Sequence, residues 1–225
     1  DFKPYADETL PEGGMITEIV MTAFRDLGYE PIVDFLNWPS GYDLTKRGKF
    51  AANWAWAPTA EREADFFYSD SLAEDLTFAY WHVDRPQTFE QIDDIKGYRV
   101  CRAVDYYTEF MDHLVDSGEI EFTQPKDINE CWRGLADGSF DFVIQAEFAS
   151  VAQHAELGLT DKIIKSDTVV SKQSYHAIFP RSISESEKLR DDFDRAFRKM
   201  EETGALNQIV ERHLKAFFAD FTPPS

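Results

Sequence analysis

Thr59-Ala60-Glu61-Arg62-Glu63 is the stretch of this chain best equipped to hold a small anion. It follows an aromatic run that ends at Trp56, across Ala57-Pro58. A threonine just past a strand can cap a short helix and present its hydroxyl and backbone N–H groups. An arginine three residues on returns to the same spot, where its planar fork matches a carboxylate. The competing reading is an exposed Arg62 paired with Glu61, Glu63 or Asp65, an ion pair of small consequence. In a regular strand Trp54 and Trp56 share a face, so both line a site or both belong to the core. Rings at a site stack on planar ligands or surround a cationic group.

Enzymatic chemistry finds little support. His82, His113, His154, His176 and His213 are scattered, and none has a recognisable nucleophile or carboxylate partner nearby in sequence. There is no glycine-rich phosphate loop, no metal-spaced His/Asp cluster and no Gly-x-Ser-x-Gly. Glu147 is the one acid worth testing as a catalyst. The chain reads as a non-enzyme without cofactor or metal. The spacing of Cys101 and Cys131 matches no common zinc or redox motif. They are either a disulfide, which suits an oxidising compartment, or two buried thiols.

The elements that must position these residues alternate. Ile16, Ile19, Val20, Ala23, Phe24 and Leu27 recur at helical spacing before Gly28. Pro31–Leu36 reads as a strand, Tyr42–Arg47 as a helix, and Phe50–Trp56 as a second strand. After a break at Asp84-Arg85-Pro86 the pattern restarts. Strands are expected at Gly97–Val104, Glu119–Phe122 and Phe140–Gln145, with helices at Tyr106–Ser117, Asp127–Asp137 and Phe148–Glu156. Alternation of this kind makes sheets with parallel strands and helices on their faces. Thr77–Val83 and Ser174–Phe179 read as two extended crossings that flank the second α/β unit. Two helices separated by Gly204 close the chain.

At 225 residues the chain accommodates two lobes, and its 43% apolar and 29% charged residues are those of a globular protein. No apolar run is long enough to span a membrane. The net charge of -19 argues against nucleic acid and anionic membrane as partners. An anionic ligand therefore has to be captured by a local basic group, against the field of the whole protein.

In order along the chain, Gly48-Lys49-Phe50, Thr59, Arg62 and Phe67-Tyr68-Ser69-Asp70-Ser71-Leu72 resemble family 3 of the bacterial extracellular solute-binding proteins. Phe2-Lys3-Pro4-Tyr5, Gly13-Gly14, Leu27-Gly28-Tyr29 and Trp38-Pro39 fit the same order. So do Ile95-Lys96-Gly97-Tyr98-Arg99-Val100 and Leu135-Ala136-Asp137-Gly138-Ser139-Phe140-Asp141. Asn53-Trp54-Ala55-Trp56 resembles a subgroup with an aromatic-rich strand before Thr-x-x-Arg.

The resemblance implies a type II periplasmic-binding fold of two α/β lobes. Residues 1–80 and 176–225 would form lobe one, and residues 81–175 the inserted lobe two. It implies capture of a small carboxylate-bearing solute, an amino acid or derivative, and delivery to the permease of an ABC transporter. The alternatives are the sensor domain of a membrane receptor or a dehydratase-like enzyme on the same fold. By the same resemblance Arg62 and Thr59 bind the carboxylate, and the Ala57 and Pro58 carbonyls face the ligand. Tyr5, Trp38, Trp54, Trp56, Tyr106 and Tyr107 map near the cleft. The protein is expected outside the cytoplasm, its export signal removed, as a monomer.

Three departures stand out. Ala51 replaces the usual Asp. Asp105-Tyr106-Tyr107-Thr108 replaces a Gly followed by Ser/Thr pairs, although a helix starting there can still offer N–H groups and Asp105 can cap it. Ala146 stands where an acid accepts the α-ammonium group, so either Glu147 substitutes or the solute is not a standard α-amino acid. The family also carries a strand ahead of its Pro-aromatic loop. With the quoted residues starting at Asp1-Phe2, that strand lies outside them or its sheet position is unfilled.

Overall fold

The computed structural model describes residues 2–104 and 106–221. In chain order the elements are α1 (Met15–Asp26), α2 (Trp38–Lys46), β1 (Asn53–Trp56), α3 (Ala60–Glu63) and β2 (Phe66–Tyr68). Strand β3 (Ala73–His82) leads to β4 (Arg99–Cys101), α4 (Asp112–Asp116), β5 (Glu121–Thr123), α5 (Ile128–Asp137), β6 (Phe142–Ala146) and α6 (Glu147–Leu157). Strand β7 (Ile163–Pro180) leads back to α7 (Ser186–Thr203) and α8 (Ala205–Ala219). Packing divides the chain into Asp1–Glu74 with Gln173–Ser225, and Asp75–Lys172. The crossings fall inside β3 and β7, a few residues before the 80/81 and 175/176 places read from the sequence.

In the first unit the end of β7 has a strand on either side. Asn53 of β1 and Tyr68 of β2 both lie opposite Ile178, and both pairings are antiparallel. Helix α1 buries Ile16, Ile19, Val20, Ala23 and Phe24, the stripe its spacing dictates, and packs on α7 and α8. Its entry needs Gly14. That residue sits at φ 97, and a Cβ there would lie 2.8 Å from the Tyr5 carbonyl oxygen.

Two sequence expectations fail in this unit. Pro31–Leu36 forms no strand, and Ile32 is left 91% exposed. A strand needs a neighbour for its backbone N–H and C=O groups, and among the described residues none lies beside this segment. Between it and β1 is a cavity of about 390 Å³, lined by Ile32 to Trp38 and by Asn53, Trp54 and Trp56. Nor do Trp54 and Trp56 share a face. Ala55 adopts φ 66, and the register slips so that Trp54 faces Ala177 and Trp56 faces His176. Set opposite consecutive residues, the two rings point to opposite sides.

The second unit orders its strands β3-β6-β4-β5, with β3 beside the start of β7. Strands β6, β4 and β5 are parallel, and β3 is antiparallel to β6. Alternate residues feed two cores. Val100, Phe142 and Ile144 pack with Ile95, Met111 and Leu114. Cys101, Val143 and Tyr80 pack with Trp132, Leu135 and Cys131 on the other face. Cys101 and Cys131 are joined as a disulfide, with Cα atoms 5.4 Å apart. Asp127 caps α5 through the Asn129 N–H at 2.9 Å, and Gly138 ends it in the left-handed region.

The helix expected over Tyr106–Ser117 is shorter. A 3-10 turn covers Glu109–Met111, and α4 follows. The Tyr107 carbonyl, which a longer helix would offer to the Met111 N–H, instead accepts from Arg102 Nε at 3.0 Å. Met111 N–H turns to Thr108 O at 2.8 Å.

Asp194 of α7 is 7% exposed and accepts from the Asp70 N–H at 2.9 Å. Burial pushes its carboxyl up to about 6, partly offset by that hydrogen bond and by Arg190 and Arg198. The folded form therefore holds the proton more tightly than the unfolded chain does. Its stabilising effect is complete below the ordinary carboxylate value and is lost as pH rises through about 6. Relative to Asp194→Asn, the wild-type chain is expected to lose stability between about pH 4 and pH 6. Urea denaturation of both proteins across that range checks this, and a constant difference contradicts it.

Candidate functional site

Arg62 and Thr59 sit together at the end of β1, on α3 and its cap. Thr59 Oγ1 accepts the Arg62 backbone N–H at 3.3 Å, and both φ and ψ of Thr59 are extended, as a cap requires. The Arg62 side chain folds back over the chain it came from. Its Nη1 donates to Ala57 O at 2.9 Å, and its guanidinium lies over the Trp56 ring, 4.9 Å from the centroid. None of Glu61, Glu63 and Asp65 pairs with it. Asp65 takes Lys46 at 2.6 Å instead, and the Glu63 carbonyl takes Arg181 Nε at 3.0 Å. Arg62 Nε and Nη2 thus have no protein acceptor among the described residues.

The surroundings hold this geometry. Trp56 is packed edge-on by Trp38, with centroids 5.0 Å apart, and at a tilt by Tyr42, at 5.3 Å. Tyr68 donates its hydroxyl to Ala57 O at 3.4 Å. Burial pushes that phenol up to about 12, while Arg62 pulls the other way. Tyr68 therefore stays neutral and remains a donor at any ordinary pH.

The other expected residues are placed as follows. The Ala57 carbonyl is already engaged by Arg62 and Tyr68, so it is not a free acceptor for a ligand. Tyr5 is a core residue, 1% exposed, with its hydroxyl on Glu74 O at 3.3 Å and its ring against Phe2 and Tyr175. Trp54 turns away from Arg62, and its Nε1 donates to Thr17 Oγ1 at 3.0 Å. Tyr106 and Tyr107 lie on the loop before the 3-10 turn, not on a helix. Tyr106 covers Arg102, while Tyr107 is 51% exposed with its hydroxyl on Glu109 at 3.2 Å. Asp105 lies outside the described residues. Glu147 opens α6, with Ala146 at the N-cap, and is paired with Lys165 of β7. Whatever role it has, its charge is already met by a cation.

Sequence reasoning did not single out Tyr68, which holds Ala57 O, or Lys165, which pairs with Glu147. The Tyr68 signal was available, since it belongs to the Phe67–Leu72 motif. Lys165 lies on a strand 18 positions from Glu147, with no local pattern joining them. Among the described residues no group of three His, Cys, Asp or Glu is placed to hold a metal, and no helix is long and apolar enough to cross a membrane.

Two α/β units, the second inserted into the first by two strand crossings, define a protein of the type II periplasmic-binding fold. The chain belongs to the bacterial extracellular solute-binding proteins, family 3, whose profile matches residues 77–216. That stretch spans more than half of the chain but leaves out Thr59 and Arg62. The fold is shared with the probable amino-acid ABC transporter extracellular-binding protein ytmK from Bacillus subtilis. That structure is 20% identical, with a TM-score of 0.73, over 93% of this chain and 90% of that one. The GluR0 ligand-binding core from Nostoc punctiforme, solved with L-glutamate, is 17% identical with a TM-score of 0.61, over 94% and 95%. A histidine kinase sensor domain is 17% identical with a TM-score of 0.64, over 95% and 92%. No curated protein matches the chain in sequence.

Proposed function

We propose that this solute-binding protein captures a small carboxylate-bearing solute, an amino acid or a derivative, and hands it to the permease of an ABC transporter. The observation that carries the reading is Arg62, whose guanidinium is held by a carbonyl and a ring and has no acidic partner among the described residues. A cation in that state is ready to take a carboxylate through Nε and Nη2, with the Thr59 hydroxyl beside it. The solute docks on the first unit and shifts the protein from an open to a closed form, the one the transporter meets. A ligand drives that shift only by its greater affinity for the closed form. The protein works as a monomer, turns nothing over, and acts outside the cytoplasm. The disulfide supports such a location, because disulfides persist in oxidising compartments.

With Ala146 at the N-cap of α6 and Glu147 paired to Lys165, the usual acceptor for an α-ammonium group is not ready-made. A thermal-shift screen of amino acids, organic acids and betaines tests the reading. A saturating solute at about 100 times its Kd stabilises the fold by roughly 2.7 kcal/mol. Acids are expected to raise the melting temperature, and a screen in which only solutes lacking an acidic group do so contradicts the reading. The likeness to a histidine kinase sensor domain favours one second reading, the same capture serving signalling. A membrane span and kinase domain downstream in the gene would decide for it.

A further inference from the structure

Arg62 owes little of its placing to the helix that carries it. Helix α3 is a single turn of four residues, none of them buried. The segment that joins it to β1 has left the ladder, which ends where Trp56 meets His176, and Pro58 within it has no N–H to donate. The fixed point of the guanidinium is Ala57 O, reached by Nη1 at 2.9 Å. A second donor comes to that oxygen from the far side of β7. Tyr68 ends β2, and its hydroxyl donates to Ala57 O at 3.4 Å. A carbonyl oxygen has two lone pairs and can accept both. The Thr59 N–H acts on the phenol oxygen as a hydrogen-bond donor, so the phenol engages both ends of the Ala57–Thr59 turn.

Tyr68 itself stands on a firm base. It lies opposite Ile178 of β7, and its own carbonyl accepts from Arg190 Nη1 at 3.0 Å. The next residue, Ser69, donates its N–H to Ala177 O at 2.9 Å and accepts the Ala177 N–H on Oγ, also at 2.9 Å. The Tyr68 ring meets His176 edge to face, with centroids 5.7 Å apart, and His176 Nδ1 lies 2.8 Å from Ser69 O. All of these residues belong to the first unit. A phenylalanine here would pack on His176 equally well but would leave Ala57 O with Arg62 alone. The hydroxyl is what this position adds to packing.

We infer that Tyr68 is a positioning residue: its hydroxyl ties the Ala57 carbonyl to the rigid β2–β7 pair, and that carbonyl aims the guanidinium of Arg62. This rests on the carboxylate reading of Arg62 and deepens it. An arginine ordered before its ligand arrives spares the complex the entropy of ordering a long side chain. Tyr68 makes no contact with the solute and acts through Arg62.

Crystals of the ligand-free wild-type and Tyr68→Phe chains test this without any solute. In the wild type Nη1 of Arg62 is expected on Ala57 O. In Tyr68→Phe the guanidinium is expected to leave that oxygen or to spread over several orientations, and one equally fixed in both chains overturns the role of Tyr68. Calorimetry adds a readout that packing alone would not move. The probe is whichever of acetate, succinate, L-glutamate and L-glutamine stabilises the wild-type chain most. Tyr68→Phe is expected to weaken its binding about three- to tenfold, the range of one neutral hydrogen bond. In an Arg62→Ala background the same change is expected to cost less than about twofold, because the phenol acts through the side chain already removed. Equal losses in the two backgrounds overturn the proposal and leave Arg62 as the partner of the carboxylate. Arg62→Ala without effect on affinity overturns the Arg62 reading and this proposal with it. Where Arg62→Ala binds too weakly to measure, the crystals decide.

Discussion

Arg62→Ala is expected to weaken solute binding by more than about tenfold and to leave the melting curve of the ligand-free protein nearly where it was. The two halves of that expectation have separate causes. Among the described residues the side chain makes one hydrogen bond, to Ala57 O, lies over Trp56 and pairs with no acid. Losing those contacts at a partly exposed position removes little stability. A carboxylate held by a planar fork is worth roughly 1.5–3 kcal/mol, which is about one to two factors of ten in affinity. Arg62→Lys keeps the charge but loses the fork, and is expected to fall between the two. Calorimetry with the solute that best stabilises the wild-type chain is the measurement. Unchanged affinity in Arg62→Ala would remove Arg62 from the site.

Breaking the disulfide is expected to cost the most stability of any small change. It joins β4 to α5 across a separation of 30 residues, and both cysteines are fully buried beside Trp132 and Leu135. Freeing a loop of that length restores entropy to the unfolded chain worth roughly 3.5 kcal/mol. The pair Cys101→Ser and Cys131→Ser is expected to lose about that much in urea denaturation, and the wild-type chain in reductant is expected to follow it. A double variant as stable as the wild type contradicts the bond. So does a full count of reactive thiols in the unreduced, denatured protein.

Elements whose cause is local were legible in the sequence. The stripe of α1, the Asp127 cap and Gly138 stop of α5, and the glycine between α7 and α8 each follow from period and terminus chemistry. The extended character of Thr77–Val83 and Ser174–Phe179 was legible, because both runs are β-rich, but the units divide a few residues before each. What failed depended on partners elsewhere. Pro31–Leu36 has the composition of a strand, but pairing is not a property of one segment. The bulge at Ala55 has no signature, since a non-glycine residue at positive φ is set by its surroundings, and it alone separates Trp54 from Trp56. Helix length after Tyr106 was misjudged because Arg102 takes the Tyr107 carbonyl.

The site was half legible for the same reason. Thr59 and Arg62 lie three positions apart, within one helical turn, so their meeting follows from spacing. The pairing of Lys165 with Glu147 depends on how β7 returns past α6, which local pattern does not contain. That pairing changes the chemistry expected at Glu147 from an open acid to a neutralised one. Tyr5 illustrates the opposite error: its motif was real, but the ring it supplies is buried among Phe2 and Tyr175.

The most direct measurement is a crystal structure of the protein with the acid that raises its melting temperature most. A solute oxygen should stand about 2.7–2.9 Å from Nε or Nη2 of the side chain at position 62, with the Thr59 hydroxyl beside it. A bound acid whose charge is met elsewhere, with that guanidinium still resting on Ala57 and Trp56 alone, would contradict the account.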